Sequence, residues 1–392
     1  MANFLNRAYA RNAIVGLIYF SILLLRGRIA LDRIPADQGY GIFESARLGF
    51  SFDSFTVPYL NLVSQSVPYL VSRFPITYHA VVGALVVHAC WTACALVISH
   101  SFRQITSSRL IPYLAGLCLV LVPHASESAL GNPGHIGFVL TSAMFVVTSI
   151  SPAVETNLRL PLTMALLTGL TSPLGFLATI PIFYRLLKYR RIGKNELVVV
   201  GALLASLIAN LAIVGVSQSA EGRDNTVTRP WAGMGWFWWS GLIGPLIGSI
   251  ALLFFVFVFR RFLKSQADAA VTLSLGSLAT SSLAYVLGGI ADRYFIAPVT
   301  LTCLAIIALG HAVPSTIWTQ TLPRTAVGLL MACWLVAVVK WFPAGYYLTS
   351  GPTWSSEVRR ARTVCVETSK NEVDLAISPN GTHTLSCTYL LP

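Results

Sequence analysis

The sequence predicts an all-α polytopic membrane protein with about eleven transmembrane helices and a small external β-hairpin near the C-terminus. Three observations predict it. Of the 392 residues, 55% are hydrophobic and 11% are charged, less than half the charge of about 25% in a soluble domain. Apolar runs near span length recur along the chain. The Lys and Arg residues lie scattered between those runs. Such a composition, with mean hydropathy +0.69, excludes a disordered chain, a coiled coil and a water-soluble enzyme.

Each element follows from the order of the runs. The stretch from Ala13 to Leu25 comes after Arg7 and Arg11. No small-residue cleavage site follows it and many apolar runs come after, so it reads as a retained helix rather than a signal peptide. Further spans are expected at 80–99, 110–123, 135–150, 157–171, 173–187, 196–216, 238–259, 268–288, 294–313 and 325–343. The pair flanking Ser172 and Pro173 is short, as tilted or half-length helices would be. No internal repeat is visible.

The formal net charge is +12, from 27 Lys+Arg and 15 Asp+Glu. No basic stripe accompanies it, so a nucleic-acid partner is not expected. The pattern fits short cytoplasmic loops facing anionic lipid. With the N-terminus inside, the cytoplasmic segments hold Arg7, Arg11, Arg103, Arg109, Arg159, the cluster from Arg185 to Lys194, Arg260, Arg261, Lys264 and Arg324. Of the acids, only Glu155, Glu196 and Asp268 fall inside. The division is then a transmembrane helical domain, 1–343, and an external tail, 344–392. Residues 27–79 form a long external loop. Its aromatic, amphipathic character predicts one or two interfacial helices.

Cys90, Cys94, Cys118, Cys303 and Cys333 lie in apolar runs, where cysteine behaves as a small hydrophobe. Cys365 and Cys387 stand apart in the polar tail and predict one disulfide on an oxidising side of the membrane. The runs Thr363–Ser378 and Thr382–Leu390 are β-prone around the turn Pro379-Asn380-Gly381, which predicts a small hairpin. No CxxC or metal-ligand spacing occurs, so no metal site is assigned.

Polar groups pinned near membrane depth are the places to seek chemistry. Just after the first helix, "DRIPADQGYGIFESARLGF" offers Asp32, Asp37, Glu44 and Arg47, with Asp37 in a tight Pro-to-Gly turn. A dense turn, "PHASESALGNPGH", holds His124, Glu127, Asn132 and His135; helix capping is the competing explanation for its Ser, Asn and Pro residues. "GLTSPLGF" places Ser172 beside Pro173 between two short helices. "ADRYFIAP" places Arg293 next to Tyr294, a pairing suited to phosphate. Arg223 and Arg229 precede a tryptophan cluster at Trp231, Trp236, Trp238 and Trp239, which suits sugar stacking or an interfacial aromatic belt.

In order, these segments resemble the layout of bacterial GT-C glycosyltransferases. The family's acidic "AEDG"-like turn is matched by Ala36-Asp37-Gln38-Gly39, then Ile42 and Phe43. Its "GYLHLxPR"-like segment is matched by Pro58-Tyr59-Leu60-Asn61-Leu62. Glu127 to Asn132 with Phe138 match its "E-x-L-G-N" turn, Gly169 to Pro173 its "GLSGP" turn, and Arg293-Tyr294 with Pro298 its "RYxxxP" element. The match runs over roughly residues 12–300. At two positions the chain departs: Gln38 stands at the second acid, and Gln65 stands where an Arg follows the GYL segment.

The resemblance implies a GT-C-like helical domain in a bacterial plasma membrane, and the Lys/Arg placement orients it with the N-terminus cytoplasmic and the tail external. It implies an integral-membrane glycosyltransferase that moves a sugar from a polyprenyl-phosphate donor to an envelope glycan or glycolipid acceptor, with inversion. Asp37 is expected as general base. Glu44, Arg47, Asn61, Glu127, Asn132, His135, Ser172, Arg229, Arg293 and Tyr294 are expected to bind substrate. No cofactor is expected, since the lipid-linked sugar is a substrate. The alternative class is a transporter or flippase of lipid-linked sugars.

Overall fold

The computed structural model describes residues 2–35, 41–43, 61–123, 125, 129–150, 158–217, 244–261, 263, 267–286, 292–313, 335, 336, 338, 339, 342, 349, 351–368, 371–377 and 381–391. These are mostly helical. The helices are α1 (Ala2–Arg26), α2 (Leu62–Val71), α3 (His79–Phe102), α4 (Ile111–Val120), α5 (Ile136–Ser149), α6 (Arg159–Thr171), α7 (Ile180–Tyr189), α8 (Lys194–Ser217), α9 (Gly244–Phe259), α10 (Ala267–Val286), α11 (Ile296–Ala312), α12 (Trp354–Thr368) and α13 (Cys387–Leu390). Strands β1 (Glu372–Ile377) and β2 (Gly381–Ser386) form one antiparallel pair, with Glu372 opposite Ser386 and Ile377 opposite Gly381.

Ten of the eleven expected segments carry a helix; the eleventh, 325–343, lies largely outside the described residues. Their lengths differ more than expected. Two, Ile76–Phe102 and Lys194–Ala212, are long and apolar enough to cross a membrane. Helix α4 has 10 residues, roughly 15 Å at 1.5 Å per residue, about half a hydrocarbon core. The segment expected as one helix over 173–187 is split. A 3₁₀ helix, Pro173–Thr179, precedes α7.

Helix α5 is the centre of the bundle. All its residues from Ile136 to Ser149 are buried, against α3, α6, α7, α10, α11 and the 3₁₀ turn at 173–179. Three of its four hydroxyl residues, all but Ser149, are compatible with that position because they bond their own backbone. Thr141 Oγ1 donates to Gly137 O at 2.7 Å, Ser142 Oγ to Phe138 O at 2.9 Å and Thr148 Oγ1 to Met144 O at 3.1 Å. Hydroxyls turned back one helical turn leave the helix surface apolar.

The two ends of the bundle differ. At one end the segments after α1 and before α3 meet the tail. Trp354 is 2% exposed and donates its indole N–H to Ile76 O at 2.8 Å. Phe43 lies between Trp354 and His383, with ring centroids 6.0 and 4.6 Å away. At the other end, Arg185 of α7 meets Glu196 of α8 at 2.5 Å, and Lys188 meets Asp268 of α10 at 2.5 Å. The first loop and the tail thus share one end, as the sequence predicts.

The tail departs from expectation in two respects: Cys387–Leu390, expected as β, is the short helix α13, and a longer run is helical as well. Thr363–Thr368, expected as β, belongs to α12. Trp354, Val358, Ala361 and Cys365 are buried, and their four-, three- and four-residue spacing is one helical face. That face overrides the β-branched run. The hairpin itself forms as expected, with its turn 378–380 outside the described residues. The predicted disulfide is present between Cys365 and Cys387 and ties α12 to α13.

Candidate functional site

The site is built on α2. Asn61 precedes this helix with φ 39° and ψ 49°, a left-handed conformation that Asn tolerates better than most residues. Asn61, Ser64, Gln65 and Pro68 recur at three- and four-residue spacing, so they share one face. All four are buried. That face meets the 3₁₀ turn Pro133–His135, where Ser64 Oγ donates to Pro133 O at 2.5 Å. It also meets α6, where the Val63 N–H donates to Thr171 Oγ1 at 3.3 Å. Gly41 lies over it, and a Cβ on Gly41 would stand 3.1 Å from Pro68 Cγ.

The turn before α5 is equally fixed. Gly131 has φ +78°, and a Cβ there would lie 2.5 Å from Ala30 Cβ; only glycine fits both the conformation and the space. Asn132 is fully buried. Its Oδ1 accepts the Gly134 N–H at 2.9 Å, a cap of the 3₁₀ turn. His135 is 3% exposed, with its ring 6.5 Å from that of Phe138. Phe138 in turn stands edge-on to Tyr294, 5.1 Å between centroids. Gly137 brings Ser172 in, since a Cβ on it would lie 2.9 Å from Ser172 Cβ. The Ser172 hydroxyl accepts the Leu174 N–H at 3.3 Å and caps the 3₁₀ helix.

Five residues singled out from the sequence therefore converge at one end of the bundle: Asn61, Asn132, His135, Ser172 and Tyr294. Capping accounts for the Ser172 hydroxyl and for the Asn132 oxygen. Asp37, Glu44, Arg47, Glu127 and Arg229 lie outside the described residues, as does the side chain of Arg293, whose backbone lies in the 3₁₀ turn Asp292–Phe295. The ends of the Asp37 turn are nevertheless placed. Pro35 and Gly41 are both described, and Gly41 lies against the α2 face.

Sequence reasoning gave no site role to two side chains here. Gln65 is 3% exposed, and neither its Oε1 nor its Nε2 has a hydrogen-bond partner among the described residues. Asn61 Oδ1 and Asn132 Nδ2 are in the same condition. A buried polar group left unmade costs about 1–3 kcal/mol, so four such atoms in one neighbourhood call for an explanation. The other is Arg26, 1% exposed. Its guanidinium donates to Val120 O and, at 3.0 Å, to Val122 O. A cation on the last carbonyls of α4 is favoured by the helix dipole, which explains its position without a ligand. No group of three or more His, Cys, Asp or Glu that could hold a metal occurs among the described residues.

No protein-family model matches the chain, and no curated protein matches it.

Proposed function

We propose that the protein is an integral-membrane glycosyltransferase of GT-C type, acting on a polyprenyl-phosphate sugar at the external face of a bacterial plasma membrane. Multiple spans, an internal N-terminus and an external tail belong to the same reading. One observation carries it. Asn61, Asn132, His135, Ser172 and Tyr294, taken from four separate sequence motifs, gather at the bundle end against which the flank of the Asp37 turn is packed. Two helices long and apolar enough to cross a membrane support the membrane setting. The disulfide supports an oxidising environment for the tail.

The chemistry is a single displacement. Asp37 takes the proton of an acceptor hydroxyl as its oxygen attacks the anomeric carbon, and the bond from that carbon to the phosphate oxygen breaks. The configuration inverts, and polyprenyl phosphate leaves. Arg293 offsets the charge growing on the phosphate, with Arg47 and Arg229 as further cations. Glu44, Glu127, Asn132 and His135 orient hydroxyls of sugar or acceptor. One base and a phosphate leaving group suffice for this displacement.

The test is transfer of radiolabelled sugar from a panel of polyprenyl-phosphate sugars in proteoliposomes, comparing wild type with Asp37→Asn. Turnover by the wild type, lost in the variant while donor still binds, is the expected result. Equal turnover in both moves the base to Asp32, Glu44 or Glu127. No turnover, with lipid-linked sugar crossing the bilayer instead, overturns the reading in favour of a flippase.

A further inference from the structure

We propose that Asn61, Gln65 and Asn132 form a charge-neutral recognition site for the ring hydroxyls of the sugar, with Gln65 as its central residue. The inference rests on the transferase reading and narrows it. The resemblance draws attention to Gln65 only as the place where a cation is missing. The structure gives that position another use.

The four unpartnered atoms are Asn61 Oδ1, Gln65 Oε1, Gln65 Nε2 and Asn132 Nδ2. Two accept and two donate. Exchanging the O and N positions of any of these amides still leaves both roles at the site. The three side chains are at most 4% exposed, so bulk water does not satisfy them. Their backbones are held in place. Asn61 O accepts the Gln65 N–H at 3.1 Å, Ser64 anchors their helix to Pro133, and Asn132 is fixed by its bond to Gly134.

The chemistry of the ligand follows from this set. Phosphate and carboxylate only accept hydrogen bonds. Either would satisfy the two donors and leave two oxygens facing an anion. A hydroxyl both donates and accepts, and adjacent hydroxyls on a sugar ring offer the alternation these amides need. The site therefore reads the uncharged sugar of the donor and leaves phosphate to the arginines. Its place fits that division. Gly41 covers the same face of α2, so the site adjoins the segment that carries Asp37.

Binding is measured in nanodiscs, without turnover, for polyprenyl-phosphate hexoses and pentoses and for polyprenyl phosphate alone. Wild type is expected to bind at least one sugar-bearing lipid more tightly than the bare lipid phosphate. Gln65→Leu is expected to weaken that ligand by at least about tenfold, the loss of one good hydrogen bond, and to leave polyprenyl phosphate unchanged. The ligand-free Tm of Gln65→Leu should equal or exceed that of wild type, because an unsatisfied amide has been removed. Gln65→Glu, which keeps the polarity and size, should lose the same preference.

The proposal is overturned if no sugar-bearing lipid is preferred by wild type. It is equally overturned if Gln65→Leu binds both ligands as wild type does, or if its Tm drops and both ligands weaken together, because the amide is then a structural group satisfied by water. Preference for sugar through Gln65 with no transfer to any acceptor would leave this site standing and remove the transferase. Transfer indifferent to Gln65 would do the reverse.

Discussion

Ser355 donates both its backbone N–H and its hydroxyl to the carboxylate of Asp32, at 2.8 and 2.7 Å. The two residues are more than 300 positions apart, and the contact fastens the tail to the start of the first long loop. Arg33 adds a bond to Gly351 O. Farther along the same loop, Phe43 stacks on His383. The Asp37 turn is thus bracketed by two anchors, both supplied by the tail. Asp32→Ala removes the first. It is expected to cost about 1 kcal/mol, as two partly exposed hydrogen bonds do, and to raise hydrogen exchange of the amides at 354–358. On the proposed transferase reading, transfer should fall through a lower kcat, because the turn carrying the proposed base, Asp37, loses an anchor. Unchanged exchange in Asp32→Ala would sink the clamp.

The cap holds itself together by a second carboxylate. Glu357 Oε1 accepts the Ala376 N–H at 2.7 Å and Arg360 Nη2 at 2.6 Å, while Oε2 accepts Arg360 Nε at 3.1 Å. Burial raises the carboxyl pKa, but the Arg360 and Ala376 bonds outweigh it, and the net shift is downward. A depressed pKa means that the unfolded chain takes up the proton first as pH falls. The stabilisation is complete above the ordinary glutamate value, about 4.3, and is lost as pH drops through the lower folded value. Thermal unfolding followed at the cap amides should show a flat Tm near neutrality and a decline below about pH 4. Glu357→Gln should start lower at pH 7 and decline less. Parallel acid limbs in the two proteins would assign the pH dependence elsewhere.

The helix positions were legible because apolar runs survive without knowledge of the fold. Their lengths were not, since the ends are set by partners. Helix α4 stops where Arg26 takes its last carbonyls, and the run after Ser172 begins as a 3₁₀ turn because Ser172 caps it. The hairpin and the disulfide could be read from local signals in the tail. Helix α12 could not, because Val364, Cys365 and Val366 favour a strand until Trp354 docks on Ile76. At the site, Asn132, His135 and Tyr294 stood out by chemical type in short motifs. Gln65 did not, since its meaning lies in a buried amide without a partner, which only the folded chain displays.

At the opposite end of the bundle, Arg185 and Glu196 form a closed ion pair between the middle of α7 and the first turn of α8. Arg185 Nε and Nη2 reach Glu196 Oε1 at 2.9 and 2.5 Å, and Nη1 reaches Thr148 O at 2.6 Å. Glu196 Oε2 takes the Gly193 N–H at 3.0 Å, half of a capping box. Arg190, at φ 53°, turns the chain between the two helices. The pair is 8% and 4% exposed, so removing one partner strands a buried charge. Glu196→Ala is expected to destabilise by about 3–5 kcal/mol. Replacing both residues, Arg185→Met with Glu196→Leu, should cost less than Glu196→Ala alone, because no uncompensated charge remains. Chemical denaturation in mild detergent, run as a double-mutant cycle, measures the difference. Additive losses would mean that each side chain acts separately and that the pair does not hold α7 to α8.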